Sequence, residues 1–583
     1  MIEEEFEELQ DGEQPRPFYP HIEPDIKQWP IYKLHKKRQS LIEELDDATR
    51  ERLVKKYGDK IEDIIASTIY TERTRMKQDP WKVDPPQDAA FWAKIKSRLV
   101  KRSLDKDDDE ARVNNEQLLQ KIIHRYSEEI VGTFKVKTFL FARKFLTFFF
   151  SRLLNASAGR NFGRIFGRSH RVFERLRAEG EIDKIRALFD KGTVVVLPTH
   201  FSNLDSILIG YVMDQIMGLP SFSYGAGLNL YNTGYTAYFM NRLGPYRVDR
   251  RKKNPVYLET LKTFCKLAVQ KGTNSLFFPG GTRSRSGHLE TKLKLGLVGS
   301  IMEAQRALYQ EGENKKVFII PLILGYDVTL EAKFLIEQHL KATGKEFYLS
   351  NSKDNFYSFR SIMKFIWKTF SESSDITLSF GKPMDVLGNF VDAEGVSYDR
   401  FGNPVRLREY FMSDGKIVTD LQREQQYTMI LGQRIVERFH KENIVLASHL
   451  VAFAAFRVLE HFNPRLDLYG ILRLPADDIF FPSDVMSEVL DDLQRRLYQM
   501  ERKGQIKLSK NVTNLKGEEL IKCGVSDLGV YHAEKPLIFD KQGRLVSEDF
   551  KLLYYYHNRM DSYELEKHID WKNMGKEEVL EIA

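Results

Sequence analysis

The chain has 583 residues, 42% hydrophobic and 29% charged, with a formal net charge of +7. That is room for roughly two to four folded domains, and it excludes a low-complexity or disordered chain. Its two cysteines, Cys265 and Cys523, stand in no metal-type spacing, so neither a disulfide framework nor a zinc site is expected, and a reducing compartment fits.

The acidic stretch Met1–Glu8 does not read as a secretory signal. No uncharged apolar run approaches the roughly 20 residues that span a bilayer. The nearest, Ile444–Phe456, is too short and carries His449.

Residues 1–130 mix charge with helical periodicity around Ser40–Leu45 and Ile61–Ile69, broken by the proline-bearing Asp79–Pro86. Asp105–Glu110 reads as a solvated loop. The region is expected to be helical and without chemistry of its own. Residues 131–170 differ sharply, holding eight Lys or Arg, no Asp or Glu, and nine phenylalanines. Cations among large aromatics suit a helix lying in an anionic membrane surface. There Phe148 and Phe149 would enter the acyl boundary while Lys135, Lys137, Arg143 and Lys144 meet phosphates. No nucleic-acid-binding motif accompanies the stretch, so no nucleic-acid partner is expected.

Residues 171–385 alternate strand and helix. Apolar runs at Val194–Leu197, Tyr246–Val248, Ser275–Phe278, Val317–Leu324 and Ile376–Phe380 are separated by helical stretches at Ser206–Met217, Val256–Gln270 and Leu295–Tyr309. This predicts an α/β domain with a largely parallel sheet flanked by helices and with its chemistry at strand ends. Residues 386–583 are expected to be mostly helical, with helices over Leu421–His440, Ser483–Glu501 and Tyr563–Trp571 and a hairpin at Leu537–Val546.

Within the α/β region, Pro198-Thr199-His200-Phe201-Ser202-Asn203-Leu204-Asp205 joins a buried strand to a helix. A histidine before the helix and a carboxylate in its first turn, with Ser202 or Asn203 as cap, let Asp205 fix the imidazole tautomer. The other nitrogen of His200 is then an outward-facing base. Leu243–Lys253 places a dense basic cluster after a strand. Phe277–Gly287 is a strand ending in a glycine turn that contains Gly281 and Thr282 and is followed by Arg283 and Arg285, suited to gripping a phosphate. Val317–Tyr326 reads as a buried strand in which Pro321 is placed to line an apolar slot.

These segments, in this order, resemble the glycerolipid acyltransferase superfamily, in particular its glycerol-3-phosphate and dihydroxyacetone-phosphate acyltransferases. His200 and Asp205 match the His-four-residues-Asp motif. Gly244–Arg251 is similar to the second motif, Phe278–Arg285 to the third and Pro321 to the fourth. Ser223–Leu230 and, more weakly, Tyr554–Arg559 look like the glycerol-3-phosphate branch. Two departures stand out: Gly280 replaces the third motif's Glu, and Asp249 takes the place of the second motif's first Arg.

The resemblance implies transfer of a fatty acyl group from acyl-CoA or acyl carrier protein to the sn-1 hydroxyl of glycerol 3-phosphate, in phospholipid biosynthesis. No metal or cofactor is implied. His200 would be the base, Asp205 its partner, and backbone N–H groups near Gly280–Thr282 the oxyanion donors. Arg250, Arg283 and Arg285 would hold the acceptor phosphate. A peripheral location on the cytoplasmic face of the membrane is expected. Lysophosphatidic acid or dihydroxyacetone phosphate as acceptor, or a membrane-binding scaffold impaired at Gly280, are the alternatives.

Overall fold

The computed structural model describes residues 19–102, 108–156, 176–231, 234–343, 376–476, 479–528 and 532–572. Its centre is a seven-stranded sheet: β1 (Leu176–Glu179), β2 (Gly192–Pro198), β3 (Ser223–Gly227), β4 (Tyr246–Val248), β5 (Ser275–Leu276), β6 (Lys316–Gly325) and β7 (Ile376–Phe380). The spatial order is β1-β7-β6-β2-β5-β3-β4. Five strands, β6 through β4, run parallel; β7 turns against β6 and takes β1 parallel to itself. The domain is α/β, as expected. The periodicity missed β1 and β3, because Leu176–Glu179 and Ser223–Gly227 are too polar or too glycine-rich to read as buried strands.

The Thr193–Pro198 side chains of β2 are all buried, and β6 is buried beyond its first residue. A strand covered on both faces must be apolar at every position, and this explains the unbroken Val-Val-Val-Leu and Phe-Ile-Ile-Pro-Leu-Ile-Leu runs.

After a short helix at Pro30–Lys36, the longer amino-terminal helices α1 (Arg38–Tyr57), α2 (Ile61–Gln78), α3 (Asp88–Arg102) and α4 (Asp108–Ile130) precede α5 (Val136–Ala156). Residues 108–110 thus open a helix where a loop was expected. After β2 come α6 (Asp205–Tyr211), α7 (Pro255–Gln270) and α8 (Leu295–Gln310). The α7 helix starts where Asn254 Oδ1 accepts the N–H of Tyr257 and Pro255 supplies a fixed φ at the first position. Its buried side chains join those of α1–α4 in one core, which includes Leu45, Ile65, Trp92, Ile122, Phe264 and Leu267.

The amino-terminal layer is also clamped by charge. Lys252 Nζ, only 4% exposed, meets Glu129 Oε2 at 2.5 Å. Arg251 bridges Asp249 and Asp84 and lies over the Trp81 ring. Two cations of the basic cluster are therefore structural ties. A cation left without such a partner after burial would cost several kcal/mol, on the order of 3–5.

The carboxy-terminal region is mostly helical, with α9 (Leu421–Lys441), α10 (Ala447–Phe462), α11 (Ser483–Arg502) and α12 (Phe550–His557). The Ile444–Phe456 apolar run starts in a short strand, Ile444–Val445, and continues into α10, which is buried nearly all round, so the run lies in a protein core. The expected hairpin forms between Ile538–Phe539 and Leu545–Val546, with Phe480–Phe481 as a third strand. Over Tyr563–Trp571, where a helix was expected, there are only short 3-10 turns at Asp561–Tyr563 and Leu565–His568. Cys265 and Cys523 are both free thiols.

Candidate active site

The β2 strand is central, with β6 on one side and β5 on the other, and its carboxyl end releases the chain into Thr199–Leu204 before α6 begins at Asp205. This puts His200 and Asp205 at the position where open α/β sheets carry ligands. His200 Nδ1 lies 2.8 Å from Asp205 Oδ2. The same oxygen accepts the backbone N–H groups of Phe201 at 2.7 Å and Ser202 at 3.0 Å, and Oδ1 accepts the Tyr326 hydroxyl at 2.6 Å. With Asp205 acting as acceptor, Nδ1 carries the hydrogen and Nε2 is left as the basic nitrogen. The helix is capped by the backbone at Leu204 with no side-chain cap, so Ser202 and Asn203 do not play that part. Ser202 instead donates its hydroxyl to Glu331 Oε2 at 2.8 Å.

The His200 ring stacks on Phe278, centroids 4.0 Å apart, and retains 13% exposure toward a cavity of about 280 Å³. Burial holds its pKa below the ordinary histidine value. Asp205 opposes that shift, and the charges of Arg283 and Arg250 reinforce it. The imidazole is therefore neutral at neutral pH, the state a general base requires.

The glycine turn grips the same histidine. The N–H of Ser284 donates to His200 O at 2.7 Å, and the N–H of His200 donates to Glu290 Oε1 at 3.1 Å. Within the turn, Gly281 adopts φ +78° and its N–H donates to Phe278 O at 3.0 Å. That N–H is committed to the turn, and neither Gly281 nor Thr282 lines the cavity.

Arg250 and Arg283 both line the cavity. Arg283 Nη1 donates to Glu331 Oε1 at 2.9 Å, and Glu331 also accepts the N–H of Asn203 at 3.0 Å. Burial raises the Glu331 pKa, while the Arg283 charge and these hydrogen bonds pull it back. Arg285, by contrast, is exposed and lies outside the cavity lining. Pro321 is also outside it; it pairs with Leu197 inside the sheet and its carbonyl accepts the N–H of Gly381.

Sequence reasoning missed several groups. Trp81, from the region expected to hold no chemistry, forms part of the cavity wall with Tyr224, Leu228 and Leu230. The side chain of Asn229 lies outside the described residues. On the side of Phe201 that the carboxy-terminal region covers, the Arg559 guanidinium sits 3.9 Å from the Phe201 ring centroid, and its Nη2 donates to Leu324 O at 2.7 Å. The Tyr554–Arg559 stretch had been singled out in the sequence, but nothing in its spacing pointed to this contact.

On α5, Lys135 at its start and Lys137, Leu140, Phe141, Lys144 and Phe148 along it are exposed. Arg143 faces inward, where it pairs with Asp214 at 2.6 Å and packs against Trp29 and Phe139. Side chains beyond Phe148, that of Phe149 included, lie outside the described residues, as does the rest of the basic segment to residue 170. Among the described residues, no helix is long and apolar enough to cross a membrane.

The site thus combines a His-Asp pair at the end of a central parallel strand with two arginines lining the adjoining cavity. The Acyltransferase family model matches residues 175–325. The chain is similar to proteins named glycerol-3-phosphate acyltransferase. With that of Pseudoalteromonas atlantica it is 27% identical over 215 residues, 36% of this chain and 24% of the relative. With that of Aeromonas hydrophila it is 25% identical over 265 residues, 45% and 29% of the two chains. With that of Shewanella woodyi it is 22% identical over 349 residues, 59% and 35%. The chain spans about a quarter to a third of the length of these relatives.

Proposed function

We propose that the protein transfers a fatty acyl group from a thioester, acyl-CoA or acyl carrier protein, to the sn-1 hydroxyl of glycerol 3-phosphate. The observation that carries this reading is the His200–Asp205 pair opening on a cavity that Arg250 and Arg283 flank. A hydroxyl held near Nε2 loses its proton to His200 as its oxygen attacks the thioester carbonyl. Asp205 stabilises the imidazolium that results. Collapse of the tetrahedral intermediate breaks the carbon–sulfur bond, and the imidazolium returns its proton to the departing thiolate. Arg250 and Arg283 are the candidates for the acceptor's phosphate. The similarity to the named relatives supports glycerol 3-phosphate over the other acceptors.

The protein acts at a membrane surface, on this reading, through the exposed face of α5, where Lys137, Leu140, Phe141, Lys144 and Phe148 follow helical spacing. Acyl transfer yields a single-chain phospholipid, a product that partitions into that surface.

The test is a purified-protein assay with acyl-CoA or acyl carrier protein as donor and glycerol 3-phosphate, dihydroxyacetone phosphate or lysophosphatidate as acceptor. Acylation of glycerol 3-phosphate that disappears in His200→Ala is expected. Turnover of lysophosphatidate alone would reassign the acceptor, and no turnover with any pair would favour a scaffold.

A further inference from the structure

The carboxylate of Glu290 is buried against the backbone of the active-site histidine, and no step above uses it. Oε1 accepts the N–H of His200 at 3.1 Å, while Oε2 is buried and has no hydrogen-bond partner among the described residues. Burial raises its pKa to about 7, and the charge of Arg559 opposes the shift. An unpaired carboxylate oxygen so close to the reacting histidine is costly and calls for a reason.

The neighbouring turn supplies one. A Cβ built on Gly280 would come within 3.2 Å of both Cγ and Oε1 of Glu290. Gly280 is not among the glycines with positive φ, so its backbone accepts an L side chain and only Glu290 crowds it. The Glu290 side chain therefore fills the space into which a side chain at position 280 would project.

We propose that Glu290 is a positioning residue for acyl transfer: its carboxylate pins the backbone of His200 from a space that a side chain at position 280 can reach equally well. The turn and the histidine are then held as one piece. Ser284 N–H fixes the His200 carbonyl and Glu290 fixes its N–H, so the imidazole reaches Asp205 and the cavity from a backbone tied on both sides. The inference rests on the acyltransferase reading for its kinetic consequences, but the pin itself is a property of the protein without substrate.

Two readouts test it on the full chain. Glu290→Ala should lower kcat by about 10²-fold with little change in either KM, because a misplaced base costs rate rather than binding. Glu290→Gln keeps an acceptor oxygen and should stay within about fivefold of the parent. Gly280→Glu alone should lose activity through crowding, and combined with Glu290→Ala it should regain at least about tenfold of the loss. Without substrate, amide hydrogen exchange in the peptide containing His200 should quicken in Glu290→Ala and slow again in the double variant.

Parent-like kcat or unchanged exchange in Glu290→Ala would overturn the proposal, as would failure of Gly280→Glu to rescue. Should Glu290→Ala fail to fold, Glu290→Gln decides: a loss there of about 10²-fold would refute the hydrogen-bond argument. If the parent protein proves inactive with every acceptor, the acyltransferase reading fails, and hydrogen exchange alone judges the pin.

Discussion

The Tyr326 hydroxyl donates to Asp205 Oδ1 at 2.6 Å from just beyond β6, while Asp205 Oδ2 holds His200. The carboxylate that orients the base is thus itself oriented from the neighbouring strand. Tyr326→Phe removes that hydroxyl without opening a cavity. A lowered kcat with both KM values near normal is the expected outcome, by roughly 10- to 100-fold, since a buried hydrogen bond to a charged group contributes about 1.5–3 kcal/mol. Steady-state kinetics with each substrate varied in turn would measure it.

His200→Ala should remove nearly all turnover while the fold survives, a loss of roughly 10²–10⁴-fold for a general base. Circular dichroism and thermal melting check the fold, and a variant with near-normal turnover would refute the mechanism.

The acid limb of kcat/KM should lie below the ordinary histidine value of 6.5, because the His200 pKa is lowered. The base works when neutral, so activity is present above that limb and is lost as pH falls through it. Arg250 pushes this pKa down, so Arg250→Gln should move the limb upward. Asp205 pushes it up, so Asp205→Asn should move the limb downward in whatever activity remains.

Arg283→Ala should raise the KM for glycerol 3-phosphate far more than that for the acyl donor, a cost of about 2–5 kcal/mol in a closed site. Arg283→Lys should rescue only in part, since an ammonium does not reproduce the fork. The pairing with Glu331 makes a purely structural loss separable. Glu331→Gln combined with Arg283→Ala should restore thermal stability without restoring the KM. If donor binding suffers instead, these arginines grip the donor's phosphates and the acceptor lies nearer Tyr224.

Replacing Lys135, Lys137 and Lys144 by Gln should reduce flotation with anionic vesicles, and added salt should reduce it in the parent. Arg143→Gln should instead lower stability, because that side chain pairs with Asp214. Flotation that is indifferent to the three lysines would place any membrane contact elsewhere.

The carboxy-terminal core should be acid-labile. Burial lowers His449 and His557 to about 3. Both are neutral in the fold and gain a proton more readily when unfolded. Their contribution to stability is complete above pH 6.5 and is lost as pH falls from there toward 3. Each adds a slope of about 1.4 kcal/mol per pH unit. Chemical denaturation between pH 7 and 5 would reveal it, and His449→Asn should flatten the dependence.

The dyad was legible because both partners lie within six consecutive residues and their roles follow from a strand-to-helix turn. The parallel sheet was legible where strands are buried on both faces, as at β2 and β6, and was missed at β1 and β3. The supports of the dyad come from far along the chain: Tyr326 is 121 positions from Asp205, and Glu331 is 129 from Ser202. No local pattern marks either one. The basic cluster misled for a related reason. A run of cations looks like one patch, but Arg251 and Lys252 are turned into the amino-terminal layer by Asp84 and Glu129, while Arg250 lines the cavity.

The site draws Trp81 from one end of the chain and rests, through Phe201, on Arg559 from the other. A ribosome building this protein completes the dyad's sequence long before its surroundings. At about 5–20 residues per second, the interval between His200 and Arg559 is on the order of 20–70 s. For most of that time the nascent chain carries the dyad and the residues that line the cavity, but not the arginine on which Phe201 rests. The packing beneath Phe201 is therefore the last part of the site's surroundings to be made, well after the residues that line the cavity itself.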